Sequence, residues 1–380
     1  MDRFPPSLLE KLEARRQQGL YRELKVISGL ADFASNDYLG LARSNNLQPL
    51  IDELLAEYNC GFSGSTGSRL LTGNNSLTIN TEANIAAMYK AEAALIFNSG
   101  YDANLGLLSS LPQRDDVVFY DELIHASLRD GIRLSNARAV KFKHNDFRDL
   151  RDKLNKLTPH PREVYIVTET VFSMDGDSPN LHEFVELAGR TSARLLVDEA
   201  HAIGITKHGL IPAMKLEHSV FARIITFGKA HGCHGAAVLG SGYLKEYLSN
   251  FARSLIFTTA LSPHSVAAIN ASCRLIDSTH GEEAIRTLKN NIDLFRTLAG
   301  EGDLQALIPD SRSPVQSFLI RENNACKTAS EKLATAGFDI RPILSPTVPK
   351  GSERLRISLH SFNSEDEIRS LIKNLATLKI

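Results

Sequence analysis

From about Ala91 onward the chain alternates short apolar runs with stretches long enough for helices, and this rhythm constrains the fold more than any other feature. The runs are AALIFNSG, DVVFYDE, RAVKF, REVYIVTET, RLLVDEAH, RIITFGK and AAVLGS, rich in Val, Ile and Phe. Strands of this kind, set between helices, predict a mainly parallel, buried sheet of an α/β protein. After Leu261-Ser262-Pro263 the texture changes: VQSFLI, DIRPIL and RLRISL are three further apolar segments among helical stretches, with a last helix from Ser364. The expected division is an N-terminal segment (1–40), a large α/β domain (41–263) and a smaller C-terminal α+β domain (264–380). Leu8, Leu9 and Leu12 fall at helical spacing before Gly19, so a short amphipathic helix opens the chain.

Several central strands end in polar, reactive side chains: Tyr120-Asp121-Glu122, Thr168-Glu169-Thr170, Asp198-Glu199-Ala200-His201, and Thr226 to Lys229. Ligands of open α/β sheets bind outside the carboxyl ends of the strands, so these residues are expected to converge on one crevice. The bulk composition adds boundaries. With 43 basic against 44 acidic residues in 380, no global field draws the chain to nucleic acid or an anionic membrane, and an anionic ligand must be met locally. Cys60, Cys233, Cys273 and Cys326 form neither a CxxC pair nor a disulfide framework. The first twenty residues lack a signal-peptide core, and no apolar run reaches membrane-spanning length, so the expected compartment is the cytoplasm.

RLLVDEAHAIG invites comparison with nucleotide-driven helicases, whose Asp-Glu-Ala-His box holds magnesium. That chemistry also needs a GxxxxGK[ST] phosphate loop, and the one Gly-Lys pair, Gly228-Lys229, is followed by alanine. The alternative pairs Asp198 with Lys229 at the ends of two strands. A lysine that holds pyridoxal phosphate as a Schiff base needs a carboxylate on the pyridinium nitrogen, because the protonated ring accepts electrons from a substrate carbanion. Such a lysine must lose its proton to be nucleophilic, and a crevice shared with other cations lowers its pKa. His125 would stack on the cofactor ring or, alternatively, face solvent at a helix start. Ser99, Gly100 and Tyr101 follow a strand and open a helix whose N-terminus suits a phosphate. Thr226, Thr258 and Thr259 offer hydroxyl donors, although isolated threonines are more often structural.

Taken in order along the chain, the motifs resemble the α-oxoamine synthases, a pyridoxal-phosphate family with the aspartate-aminotransferase fold (fold type I). The matching segments are SNDYLG from Ser35, GSTGSR from Gly64, and residues 97–104, 121–131, 169–176, 197–204, 226–235, 258–263 and 346–356. The resemblance implies that Lys229 carries the cofactor and that Asp198 pairs with the pyridine nitrogen. It implies that His125 stacks on the ring, His201 bonds the phenolic oxygen, Ser173 lies beside the ring and Thr226 touches the phosphate. Arg356 would grip the amino-acid carboxylate as a bidentate fork; Glu169 would be a substrate-side group, and Arg22 would meet the acyl tail. It also implies a homodimer with a shared active site, Thr258 and Thr259 reaching the partner's phosphate and the loop 65–74 lining the interface.

GSRLLTGN resembles the branch of the family that condenses L-alanine with a pimeloyl thioester, on coenzyme A or acyl carrier protein, releasing carbon dioxide. Sister branches join glycine with acetyl-CoA, or serine with a long acyl thioester. A motor protein and a catalytically silent subunit are the readings from other classes; the missing phosphate loop opposes the first and Lys229 the second. Two departures stand out: Thr78 where relatives carry histidine, and His231 with Cys233 where they carry apolar or small residues. Both are expected near the substrate path. His231, Cys233 and His234 lack a fourth ligand for zinc, so no metal is expected.

Overall fold

The structure, a computed structural model, describes residues 4–158, 161–301 and 304–378. Its first strand, β1 (Ala31–Asp32), precedes a seven-stranded sheet built from β2 (Ala93–Phe97), β3 (Val117–Asp121), β4 (Arg138–Phe142), β5 (Val164–Glu169), β6 (Arg194–Asp198), β7 (Ala222–Thr226) and β8 (Ala236–Gly240). The order across the sheet is β2-β8-β7-β6-β5-β3-β4. Every neighbouring pair from β7 through β4 is parallel, as the alternation predicts. β8 runs antiparallel to both β7 and β2. A parallel return needs a crossover of a dozen residues or more, and the short loop between Thr226 and Ala236 is closed by Phe227 N–H donating to Gly235 O at 2.9 Å. That loop also demands glycine: at Gly232, φ is +64° and a Cβ would lie 2.2 Å from Ala42 N.

Burial follows position in the sheet. β7 is buried along its whole length, and Leu195 and Val197 of β6 face one apolar cluster while Leu196 faces another, the period of two expected of a strand. β4 lies at the edge, and its Arg138 and Lys141 are exposed, charges that discourage further pairing.

Toward the C-terminus, β9 (Val315–Leu319), β11 (Arg341–Ile343) and β12 (Arg354–Ser358) form an antiparallel sheet in the order β11-β12-β9. The segment DIRPIL is split rather than continuous: Phe338–Asp339, β10, pairs in parallel with β1, and Ile340 separates it from β11. The N-terminal segment is thereby stitched to the C-terminal part. The opening helix runs Pro6–Gln17 with proline in its first turn, and none of its residues is buried. Among the described residues, no helix is long and apolar enough to cross a membrane.

Candidate active site

The carboxyl ends of the parallel strands bring most of the expected residues together. Lys229 follows β7, Asp198 ends β6 and His201 lies just beyond it. His125 follows β3 and caps the helix Ala126–Leu134. Lys229 Nζ lies 2.7 Å from His201 Nε2, and His201 Nδ1 lies 2.7 Å from the hydroxyl of Tyr38. Tyr38 donates its own proton to Asn36 Oδ1 at 3.1 Å. The phenol therefore accepts from His201 Nδ1–H, which leaves Nε2 as the acceptor facing the lysine.

Asp198 is held by two donors, Asn104 Nδ2 at 2.8 Å and the Ala200 N–H at 2.9 Å. Asn104 also donates to Ser127 Oγ at 3.0 Å, and Ser127 Oγ lies 2.7 Å from His125 Nδ1. One amide thus ties the carboxylate to the imidazole. Glu169, assigned to the substrate side by resemblance, is buried, and its Oε1 accepts the His125 N–H at 2.5 Å. Arg356, on β12, donates from Nε to Ser173 O at 2.7 Å, from one terminal nitrogen to Ser358 Oγ at 3.1 Å, and from the other to Asn36 Oδ1 at 2.9 Å. All three guanidinium nitrogens are thus engaged within the chain.

Beside this cluster a cavity of about 440 Å³ opens, with His125, Ser173, Arg129, Val348 and Arg354 in its walls and the exposed Arg22 at its rim. A larger cavity of about 780 Å³, lined by Lys90, Arg194 and Glu217 among others, sits at the opposite ends of the strands and includes none of the expected site residues. Ser99 caps the helix Gly100–Ser110, its Oγ accepting from the Asp102 N–H at 3.1 Å. Tyr101 is exposed and donates to Asp130. Thr226 Oγ accepts the Gly228 N–H at 3.3 Å. Thr258 and Thr259 bond Asn98 of their own chain, through Thr258 Oγ1 at 3.1 Å and Thr259 O at 2.8 Å.

The electrostatics follow from crowding cations in a buried crevice. Burial, with the Arg356 charge, pulls the Lys229 amine down to about 8 against the opposing pull of Asp198 and Glu169. Burial and the charges of Lys229 and Arg356 hold His201 well below the usual imidazole range. His125 is lowered by burial and Lys229, with Asp198 opposing. Burial, then the Asp198 charge, push Glu169 well above the usual carboxylate range. A low-pKa amine, an aspartate fixed by two donors, a neutral imidazole and a capped helix N-terminus are the donor set that pyridoxal phosphate requires, so the residues present fit the group.

Three contributors escaped the sequence reading: Asn36, Tyr38 and Asn104. The first two lie in SNDYLG without an assigned role. Asn104 had a usable signal, since it is a polar residue on the otherwise apolar buried face of its helix.

Of the departures, His231 and Cys233 are placed differently from what was expected. His231 is fully buried away from the crevice, between Tyr89 OH at 2.6 Å and Ser272 Oγ at 2.7 Å, with its ring edge-on to Phe227. Burial pushes its pKa down to about 3. Cys233 points its thiol at the carbonyls of His231 and Ala268. They pack the core beneath the lysine loop rather than line a substrate path. Both nitrogens of His231 are engaged, and among the described residues no His, Cys, Asp and Glu cluster suits a metal. Thr78 is buried in the first turn of the helix Ser76–Met88, where its hydroxyl donates to Asn75 Oδ1 at 2.9 Å.

Fold and site together define a pyridoxal-phosphate-dependent enzyme of fold type I. The chain belongs to the aminotransferase class I and II family, which it matches over residues 28–375, and within it to the α-oxoamine synthases, C-acyl transferases. It is 38% identical to 8-amino-7-oxononanoate synthase of Emericella nidulans, over 98% of this chain and 95% of that protein. The 8-amino-7-oxononanoate synthase structure from Francisella tularensis superposes with a TM-score of 0.77 at 30% identity, covering 91% of this chain and 97% of that one. Serine palmitoyltransferase of Sphingomonas wittichii superposes at 0.86 with 26% identity, covering 98% and 96%.

Proposed function

We propose that this protein joins L-alanine to a pimeloyl thioester, carried on coenzyme A or acyl carrier protein, releasing carbon dioxide and the free thiol to give 8-amino-7-oxononanoate, a step of biotin synthesis. The observation that carries the reaction type is the Lys229–His201 contact of 2.7 Å, an amine with its pKa drawn down to about 8 beside a neutral imidazole. The substrate pair is supported by the names of the relatives and by GSRLLTGN. When bound, pyridoxal phosphate supplies an electron sink for charge that develops at the amino-acid Cα.

The chain's own residues supply the rest. Lys229 would hold the cofactor, and its depressed pKa would leave a useful fraction of the free amine unprotonated near neutrality, able to take the Cα proton and later return it. His201 Nε2 orients that amine and would meet the phenolic oxygen, and Asp198 would keep the pyridine nitrogen protonated. His125 would stack on the ring beside Ser173, with Ser99, Gly100, Tyr101 and Thr226 near the phosphate. Arg356 would clamp the alanine carboxylate with a fork already fixed by Asn36 and Ser173. The cavity beside His125 would take the acyl chain, with Arg22 at its rim for the distal carboxylate of a pimeloyl group; Glu169 then acts from beneath the His125 turn.

A homodimer fits the same reading. Phe62, Leu70, Leu71 and Ile79 are exposed around the loop 65–74, and a second copy covering them would bring Thr258 and Thr259 to the neighbouring phosphate site. The superposition on serine palmitoyltransferase at a TM-score of 0.86 favours a second reading, the same chemistry on serine and a long acyl thioester. Thiol release measured across alanine, glycine and serine, each with pimeloyl, acetyl and palmitoyl thioesters, separates the two. Alanine with the pimeloyl thioester is expected to be fastest; a faster rate for serine with palmitoyl, or glycine with acetyl, overturns the proposed substrates.

A further inference from the structure

His144 belongs to none of the roles above, yet its ring joins two segments that frame the site. Nδ1 lies 2.9 Å from Asp121 Oδ1 and Nε2 lies 2.8 Å from Asp177 Oδ2. Ionised carboxylates only accept hydrogen bonds, so a ring with both nitrogens protonated satisfies both aspartates, whereas a neutral ring would turn an Nε2 lone pair toward Asp177 with only the Asn145 amide, at 3.3 Å, to accept from. The following residue completes the clamp. Asn145, at φ +51°, donates its N–H to Asp121 Oδ2 at 2.7 Å and its amide to Asp177 Oδ2 at 2.7 Å.

Each aspartate controls one wall. Asp121 accepts the Leu123 N–H at 2.8 Å, and its carbonyl accepts from Ile124, which shapes the turn that ends at His125. Asp177 accepts the Phe172 N–H at 3.0 Å through its carbonyl and closes the loop that carries Ser173, whose carbonyl anchors Arg356. Phe172 places its ring edge-on to His144 at 4.4 Å. Asp121 is fully buried and the His144 side chain is 22% exposed, so solvent screens the bridge only in part.

We propose that His144 is a positioning residue: as an imidazolium bridging Asp121 and Asp177, it holds the His125 turn and the Ser173 loop in register on either side of the cofactor and the substrate carboxylate. This rests on the reading of the crevice as the cofactor site, but not on which substrates are used. The groups that face His144 are Asp121 and Asp177 at its ring, Glu122 Oε1 at its backbone N–H, the amide of Asn145 and the apolar Phe172. Burial acts to lower its pKa, but the hydrogen bonds and charges of the two aspartates prevail and raise it to about 9. The clamp therefore stays charged through neutrality and is lost as pH rises through about 9.

The experiment compares cofactor dissociation constants of the holoenzyme and its variants between pH 7.5 and 10, followed by the visible absorption of lysine-bound pyridoxal phosphate. His144→Gln should weaken retention about tenfold at pH 7.5, and the ratio of variant to wild type should fall toward one by pH 10. His144→Arg, a fixed charge between the same carboxylates, should recover part of the loss and flatten the pH dependence. A ratio near one at pH 7.5, or a loss that is the same at every pH, overturns the proposal. Should His144→Gln fail to fold, Asp177→Asn takes its place: it should move the wild-type loss of retention to lower pH, and an unmoved profile counts against the clamp. Substrate identity does not enter these measurements, so their failure would leave the condensation reading standing, and the failure of that reading would leave them interpretable.

Discussion

Two buried histidines, His201 and His231, have almost the same surroundings and opposite prospects. Each is less than 5% exposed and each is bonded to a buried tyrosine, Tyr38 at 2.7 Å and Tyr89 at 2.6 Å. Burial depresses both pKa values. The difference lies at the other nitrogen. His231 meets Ser272, whose hydroxyl donates a hydrogen bond to the Ile269 carbonyl at 3.0 Å and closes the network. His201 meets Lys229, an ionisable group that faces the crevice. A neutral buried imidazole becomes chemical equipment only when its free end reaches a group that can change protonation or bonding.

The largest break in that comparison removes the open end. Lys229→Ala should lower thiol release by about 10⁴-fold, within the range for losing a proton-transfer group, and abolish the visible band of bound cofactor, while His231→Ala should keep the band. An unaltered band in Lys229→Ala would put the cofactor attachment elsewhere. A second test uses pH. The free amine is the nucleophile, and the Lys229 value is drawn down to about 8. Capture of pyridoxal phosphate by cofactor-free protein should accelerate about tenfold per unit up to pH 8 and level off above it; a rise continuing to pH 10 would mean an unperturbed lysine. A third, smaller effect concerns orientation. Tyr38→Phe removes the hydroxyl that fixes His201 and touches Arg356 at 3.4 Å, so kcat should fall by the order of tenfold with the fold intact, a neutral hydrogen bond being worth about 1 kcal/mol or a little more.

The sequence carried the architecture and the core of the site because both depend on local pattern. All seven apolar runs became strands of one sheet, since Val- and Ile-rich segments flanked by helices have few other ways to bury both faces. Lys229, Asp198, His201 and His125 were readable because each sits at a strand end, where topology forces convergence. The antiparallel β8 depended on loop length, and the split between β10 and β11 on a partner far away in the chain, β1. Asn104 and Tyr38 act through side chains that sequence order does not bring together. His231 misled for the converse reason. It lies two residues from the lysine, yet the turn through Gly232 sends its ring to the far side of the loop, into the core.

That turn allows the comparison to be sharpened with the smallest effect on catalysis. His231→Ala should leave kcat within about threefold of wild type, because no site residue bonds the ring, and lower stability by about 2–4 kcal/mol through the cavity and two hydroxyls left without their partner. Its pH dependence gives the stricter check. His231 is pushed down to about 3 in the folded protein against an ordinary value near 6.5. Below pH 6.5 the unfolded chain takes up a proton that the folded chain refuses, so wild type loses stability as pH falls. Alanine does not titrate, and the variant's deficit should shrink by about 1.4 kcal/mol for each pH unit below 6.5. Denaturant unfolding of both proteins at pH 7.5 and 5.5 measures it. A deficit that stays constant would mean that the imidazole is charged or solvated in the folded state, and that the two histidines differ in more than what stands at their free ends.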